Sequence, residues 1–272
     1  MTDAHAGFVS RLERFESVDS TQRVVREWLE AGVAEVPVAV ADLQTAGRGR
    51  QGRGWTAPSG RALMVSCGFR PRDLHLRHGW RLAAIAALAM LDASEEAAGL
   101  LEGTLFLKWP NDLVAEDEAG PVRKLAGVLG ETVSRNEWVE SAVVGLGVNA
   151  DWPAADFPPE LAASMTSLRD VAGGRPIDRA YLLGQFLDRL EPRYEALQAG
   201  RFDAAGWTTR QVTTGRTVEV TMGAEVIEGV GAGVDPQSGG LLVERAGGLL
   251  TIDSGEVTRC RVMATLPRPT RE

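Results

Sequence analysis

The stretch VPVAVADLQTAGRGRQGRGWTAPSGRALMVSCGF, residues 36–69, decides how the first half of the chain folds. Its two ends, residues 36–42 and 62–69, are short runs rich in β-branched and other apolar residues, and such runs predict β-strands. Between them, residues 45–55 hold three arginines and four glycines. We therefore expect a charged, flexible loop, called here the glycine-arginine loop (residues 45–55), that joins two strands of one sheet.

The glycine-arginine loop has the chemistry of an anion-binding segment. Its glycines let the backbone approach a ligand and present N–H donors, while its arginines add forked cationic donors that suit phosphate or carboxylate. These residues are Gly47, Gly49, Gly52, Gly54, Arg48, Arg50 and Arg53. No Lys-Ser/Thr pair follows, so this is not a Walker A loop. A solvated loop, a nucleic-acid-binding RGG-type segment and a small-anion site all remain open from the loop alone.

Composition narrows these alternatives. The 272-residue chain has a formal net charge of −8, with 24% charged and 44% hydrophobic residues, which is typical of a folded globular protein. The negative balance argues against a general attraction to nucleic acid. Cys67 and Cys260 lie in apolar or strand-like runs and predict buried, reduced thiols. The N-terminus lacks the apolar core of a signal peptide, and residues 82–91 are about half a membrane span. We expect a cytoplasmic protein.

The remaining pattern predicts an α+β fold with a mixed or largely antiparallel sheet. Helices are predicted at residues 19–32, 77–100 and 178–198, the last bent or interrupted near Pro192. A strand is predicted at 104–109, and a hairpin of buried strands at 124–133 and 137–149. From about Thr213 the pattern is strand and turn repeated, which predicts a small five-stranded β-barrel. We expect two domains, residues 1–208 and 209–272.

Three further motifs narrow the possible functions of the glycine-arginine loop. They are KWPNDL (108–113), KLAGVLGE (124–131) and VVGLGVN (143–149), accompanied by DST (19–21) and TSL (166–168). Together with the loop and in this order, they resemble the catalytic part of biotin–protein ligases of the BirA type. The resemblance implies the catalytic fold of the biotin/lipoate ligases, followed by a small C-terminal SH3-like barrel. It also implies that biotin and ATP give biotinyl-5′-AMP and pyrophosphate, after which biotin passes to one lysine of a biotin carboxyl carrier protein or carrier domain.

The resemblance also implies a role for each motif residue. Because a carboxylate must meet the α-phosphorus of ATP, the site must hold two anions together with positive charge. The residues expected to contact biotin are Ser20, Thr21, Gln44, Gly47, Arg48, Arg50, Trp55, Lys124, Gly127, Gly145 and Gly147. Those expected to contact ATP are Arg53, Lys108, Asn111, Lys124 and Asn149. The chemistry is assigned to Lys124, Arg50, Arg53 and Lys108. Mg²⁺ is expected from ATP use; its ligands are unknown, with Asp112 a weak candidate and first of all a turn residue.

Alternatives remain for several residues. Ser20 and Thr21 could simply cap a helix, Trp55 could be core packing, and the two lysines could be solvated. Gln51 stands where the family's GRGRRGR version has arginine, and no general base for the lysine-transfer step is evident. Only residues 1–18 precede Asp19, so we expect no helix-turn-helix and no specific DNA binding. The alternative functions are a lipoate or octanoate ligase of the same superfamily and a nucleic-acid-binding protein.

Overall fold

The computed structural model describes residues 7–116, 122–222, 225–253 and 259–262. The chain forms two compact units. The first comprises residues 1–107 and 111–202, and the second comprises residues 108–110 and 203–272. Among the described residues, no helix has the length and apolar character needed to cross a membrane.

A seven-stranded mixed sheet forms the centre of the first unit, in the order β1-β2-β3-β7-β6-β5-β4. The strands are β1 (Arg11–Val18), β2 (Pro37–Gln44), β3 (Ala62–Phe69), β4 (Leu105–Lys108), β5 (Asp112–Glu116), β6 (Val122–Arg135) and β7 (Trp138–Asn149). β1 is parallel to β2, whereas the pairs β2–β3, β3–β7, β6–β7 and β5–β6 are antiparallel. The predicted α+β class with a mixed sheet is therefore confirmed.

The long hairpin of β6 and β7 sets the register of the sheet's middle. It confirms the hairpin predicted from the sequence, and a bulge between Val133 and Ser134 interrupts its pairing near the turn. Gly127 lies opposite Gly147, which in turn lies opposite Met64 on β3. Because side chains alternate between the two faces of a strand, these positions share one face of the sheet. Two glycines side by side leave a shallow recess there.

The described residues of the first unit also form α-helices. They are α1 (Thr21–Glu30), α2 (Trp80–Ala97), α3 (Pro159–Ala162), α4 (Leu168–Val171) and α5 (Arg179–Gln198). α1 buries Val25 and Leu29, each worth about 1.5–3 kcal/mol of hydrophobic stabilisation, and ends just before Gly32, whose φ is +85°. α2 packs against α5. Of the predicted bend or interruption near Pro192, the interruption does not occur: α5 is continuous through that residue, and buried leucines on either side hold it in place.

The second unit contains α6 (Ala204–Thr209) and one antiparallel sheet in the order β11-β10-β9-β8-β12. Its strands are β8 (Thr217–Met222), β9 (Glu225–Val234), β10 (Leu241–Arg245), β11 (Gly248–Ile252) and β12 (Arg259–Val262). Alternating Val218 and Val220 on β8 are fully buried, as the period of two in this strand requires. The indole N–H of Trp109 donates to the carbonyl of Gly239 at 2.9 Å within this unit.

The structure describes the side chain of one of the two cysteines. Cys67 is a free, fully buried thiol on β3, as predicted, and burial raises its pKa to about 12 because the thiolate would be desolvated. The side chain of Cys260 lies outside the described residues.

Candidate active site

The glycine-arginine loop folds as a short hairpin between β2 and β3. Arg48 pairs with Gly54 across the hairpin, and a single 3-10 turn spans Arg50–Gly52 at its tip. The N–H of Gly49 donates to the carbonyl of Arg53 at 2.7 Å, and Trp55 N–H donates to the carbonyl of Gly47 at 2.9 Å. The loop thus has its own hydrogen-bonded backbone.

Gly47 permits this hairpin to close. A Cβ at Gly47 would lie 2.3 Å from the carbonyl oxygen of Trp55, a distance that no side chain can occupy. Replacing this glycine would therefore push Trp55 away from the sheet, which makes Gly47 a requirement of the loop's geometry as well as a predicted biotin contact.

Trp55 lies against the recess made by the paired glycines of β6 and β7. A Cβ on Gly147 would stand 2.5 Å from the indole Cε2 and Nε1, and one on Gly127 would stand 3.4 Å from Cζ3. The indole nitrogen is buried and has no hydrogen-bond partner among the described residues. The glycines therefore make room for an aromatic wall.

Lys124 lies beside this wall. Its Nζ lies 5.4 Å from the centroid of the Trp55 ring, within the range of a cation–π contact, and 2.7 Å from Oδ1 of Asp112. The approach to Asp112 is an ion pair, not an aligned hydrogen bond. The backbone around Lys124 is fixed as well, because its N–H donates to Ser164 and its carbonyl accepts from Thr166.

The half-buried Arg50 adds to the positive charge here. Burial holds the pKa of the Arg50 guanidinium below its usual range; neighbouring Asp112 opposes this effect and Arg53 adds to it. Arginine nevertheless stays protonated in water. Arg50 and Lys124 thus both lie within the electrostatic influence of Asp112, and two cations in one place suit an anionic ligand.

A neutral polar cluster is found further along the same face. The N–H and hydroxyl of Thr21 donate to Oε1 of Gln44 at 2.8 and 3.1 Å, and the Thr21 and Ser66 hydroxyl oxygens are 2.8 Å apart. Ser66 pairs with Gly145, two residues along β7 from Gly147, so about 7 Å separates this cluster from the Trp55 recess. Ser20 occupies the cap position of α1, but its side chain makes no capping hydrogen bond.

Sequence reasoning missed two polar residues here, one within this cluster and one beside it. Ser66 is fully buried within an otherwise apolar strand, and Gln22 is buried on α1, where its Nε2 donates to the carbonyl of Leu129 at 2.8 Å. A Cβ on Gly145 would lie 2.8 Å from Gln22 Cγ and 3.1 Å from Ser66 Oγ, so protein side chains occupy the space above this glycine. The lone serine in an apolar run was the available signal, since buried polar groups need partners.

The residues predicted for ATP are distributed more widely. Asn111 donates from Nδ2 to the carbonyl of Val128 at 2.8 Å, and the fully buried Asn149 donates to the carbonyl of Thr166 at 3.0 Å. Oδ1 of Asn149 has no partner among the described residues and can accept a hydrogen bond from a ligand. The Arg53 side chain is exposed. Lys108 ends β4 and groups with the second unit, so its predicted phosphate contact stays a prediction.

Comparison with known proteins identifies the family. Residues 14–149, half of the chain, match the family model described as Biotin/lipoate A/B protein ligase family. The chain belongs to this family. The matched span contains the glycine-arginine loop and all three motifs that follow it, so the resemblance recognised from the motifs is confirmed.

Two bacterial ligases are among the relatives of this chain. The bifunctional ligase/repressor BirA of Bacillus subtilis is 36% identical over 177 residues, covering 65% of this chain and 51% of that protein. The biotin–[acetyl-CoA-carboxylase] ligase of Mycobacterium tuberculosis is 35% identical over 185 residues, covering 67% and 64%. The chain thus spans only about half to two thirds of the length of these relatives.

A solved structure in this ligase family matches almost the whole chain. The biotin protein ligase from Aquifex aeolicus in complex with biotin and ATP superposes with a TM-score of 0.75 at 28% identity. The match covers 93% of this chain and 99% of that one. The similarity therefore extends beyond the residues of the family model.

Proposed function

We propose that this chain is an ATP-dependent biotin–protein ligase. In the first reaction, a carboxylate oxygen of biotin attacks the α-phosphorus of ATP, and the bond from that phosphorus to the bridging oxygen breaks. The products are biotinyl-5′-AMP and pyrophosphate. In the second, the uncharged amine of a carrier lysine attacks the acyl carbon, AMP leaves with the bonding electrons, and one proton is released.

The observation that carries this proposal is the order of the groups along one face of the sheet, from neutral polar to aromatic to cationic. The neutral cluster of Thr21, Gln44 and Ser66 lies about 7 Å along β7 from the Trp55 recess, beside which Lys124 is held. Biotin has the same order of parts, namely a polar ureido ring, an apolar chain and a carboxylate. Hydroxyl and amide groups can both donate to and accept from the ureido group.

The cations at the other end suit adenylate formation. Lys124 and Arg50 would bind the biotin carboxylate and the α-phosphate, and so reduce the repulsion between two anions that must react. Their partner Asp112 fixes Lys124 before the ligand arrives. Gly47, Arg48 and the glycines of β6 and β7 complete the biotin side of this arrangement. Closure of the glycine-arginine loop would exclude water from the mixed anhydride.

ATP is assigned to the remaining predicted residues. We propose that Arg53 and Lys108 bind phosphates, and that Asn111 and Asn149 bind the adenosine; the unpartnered Oδ1 of Asn149 supports the latter. Mg²⁺ would arrive with the nucleotide and screen its phosphates. Asp112 fits this ion poorly, since its carboxylate is already paired with the ammonium of Lys124.

The proposal extends to the second unit, to the domain bounds and to the carrier. We propose that its five-stranded sheet is the SH3-like barrel of the family, that the domains comprise residues 1–208 and 209–272, and that the carrier is a biotin carboxyl carrier protein or domain. A cytoplasmic location is supported by the free buried thiol of Cys67. The absence of specific DNA binding is supported by the net charge of −8.

The carrier reaction tests this function against its relative in the same family. The protein is incubated with ATP, Mg²⁺ and a biotin-carrier domain, with either biotin or lipoate, and the carrier is mapped by mass spectrometry. We expect biotin on a single carrier lysine. Modification by lipoate alone would replace the proposal with lipoate ligation. Salt-sensitive binding to RNA, without modification of any carrier, would favour a nucleic-acid-binding role.

A further inference from the structure

Glu131 bridges two arginines from different parts of the first unit. Its Oε1 lies 3.2 Å from Nη2 of Arg48 in the glycine-arginine loop, and its Oε2 lies 2.6 Å from Nη2 of Arg26 on α1. Each carboxylate oxygen therefore has its own guanidinium partner. The exposed fractions of the three side chains lie between 32% and 44%.

The position of Glu131 on β6 places it beside the site. Gly127, Leu129 and Glu131 alternate along one face of this strand, and Gly127 faces Lys124 and Trp55. Four residues of strand correspond to about 13 Å, so Glu131 lies at the edge of the recess. Because β6 is paired with β7 on both sides of Glu131, its backbone is a rigid anchor.

α1 holds this anchor in place. Gln22 and Arg26 are one helical turn apart, and Gln22 binds the carbonyl of Leu129 while Arg26 binds Glu131. At the base of the loop, the N–H groups of Thr45 and Ala46 donate to the carbonyls of Val18, the last residue of β1, and of Asp19, the residue after it. Arg48 is the next charged residue, and Glu131 is its ion-pair partner.

We propose that Glu131 is a positioning residue that holds the glycine-arginine loop closed through Arg48, with Arg26 keeping its carboxylate turned toward the loop. The role of Glu131 in holding the loop does not depend on the proposed function. Its catalytic consequence, retention of biotinyl-AMP under the loop, rests on the proposed function. Glu131 itself does not contact the reacting atoms.

Amide hydrogen exchange with no ligand added tests the structural part. Replacing Glu131→Gln removes the charge and keeps the shape, so the loop amides of Gly49 and Trp55 should exchange about fivefold faster, as one partly exposed ion pair predicts. Amides of β3 should be unchanged. The matched control is Glu140→Gln on β7, whose carboxylate pairs with Arg135 and not with the loop. Loop exchange equal to that of the wild type would overturn the inference.

Kinetics separate positioning from a merely structural role. Glu131→Gln should raise the KM for biotin and increase the release of free biotinyl-AMP about fivefold, with kcat at saturating biotin within about twofold. Glu131→Asp should restore part of the loss. Parallel falls in kcat and thermal stability, without a change in KM, would contradict positioning. A wild-type protein without biotin-dependent turnover would refute the proposed function, while the exchange result would still decide the role of Glu131.

Discussion

Replacing Gly147→Ala should damage biotin binding far more than it damages the fold. The new methyl group would lie 2.5 Å from the Cε2 and Nε1 atoms of Trp55 and 3.0 Å from Cζ2. Carbon atoms pack at about 3.5–4.0 Å, so the indole must retreat by about 1 Å. Displacement of this size at a reacting site costs about 100-fold, and we expect that loss in kcat/KM for biotin.

The stability cost should be small because Trp55 is carried by a partly exposed loop that can move. We expect Gly147→Ala to lower the free energy of unfolding by about 1 kcal/mol, at the low end for overpacking. The assays are titration calorimetry with biotin, biotin-dependent pyrophosphate release and urea unfolding. Large losses in all three would show that the substitution disrupts the sheet.

Two further variants test whether displacement of Trp55 causes the loss of biotin binding in Gly147→Ala. Gly130→Ala places a methyl group 3.5 Å from Cβ of Ala83, an ordinary contact, and should leave biotin affinity unchanged. In the Trp55→Ala background, Gly147→Ala should add little further loss, because the ring it displaces is gone. Biotin affinity of Gly147→Ala within about threefold of the wild type, a difference of about 0.7 kcal/mol, would show that the position of the Trp55 ring does not control biotin binding.

Other substitutions test separate parts of the account. Lys124→Ala should lower pyrophosphate release at least about 100-fold while near-ultraviolet circular dichroism stays unchanged; normal release would remove Lys124 from the site. Arg50→Gly should let biotin appear on bystander lysines in mass spectra, and unchanged selectivity would count against loop closure. Tyr194→Phe removes a hydrogen bond to Glu35 and should lower the urea unfolding free energy by about 1–2 kcal/mol. Burial raises the pKa of Tyr194 above its ordinary value of 10.0, so its contribution is present below pH 10 and lost as pH rises through the folded pKa; the wild type should therefore lose stability above pH 10 more steeply than Tyr194→Phe. Cys67, with its raised pKa, should resist iodoacetamide at pH 8 until the protein is unfolded, as peptide mapping would show; rapid labelling of the native protein would contradict its burial.

The middle of the sheet was predictable because its signals are local. The apolar runs at 62–69 and 137–149 are buried strands, and the turn between β6 and β7 lies where the hairpin pattern placed it. The register that places Gly127 opposite Gly147 follows from this hairpin. Adjacency of Trp55 and Lys124, by contrast, depends on the loop folding back over the sheet, and only the family resemblance indicated it.

Two strands escaped sequence analysis for a physical reason. The β1 segment RLERFESV is an edge strand with charged side chains on its open faces, and its stability comes from parallel pairing with β2, a long-range contact. β5 follows directly after Pro110 and Asn111, whose turn signal conceals the strand that begins at Asp112.

The ion pairs of the site were equally inaccessible to sequence analysis. Arg26 and Glu131 are 105 residues apart, and no local pattern connects them. The sequence predicts Asp112 as a turn residue and a weak metal candidate, whereas in the structure its Oδ1 lies 2.7 Å from Nζ of Lys124. Charges that meet across strands are set by register and helix docking, so they become visible only once the fold is known.

The most direct test of the ligase account is pyrophosphate release with ATP and Mg²⁺, comparing biotin, lipoate and octanoate as the acid. Release should depend on biotin and be far slower with the other two acids, because only biotin has a ureido group that would pair with Thr21, Gln44 and Ser66. Release with lipoate or octanoate but not biotin, or no release with any acid, would contradict the ligase account.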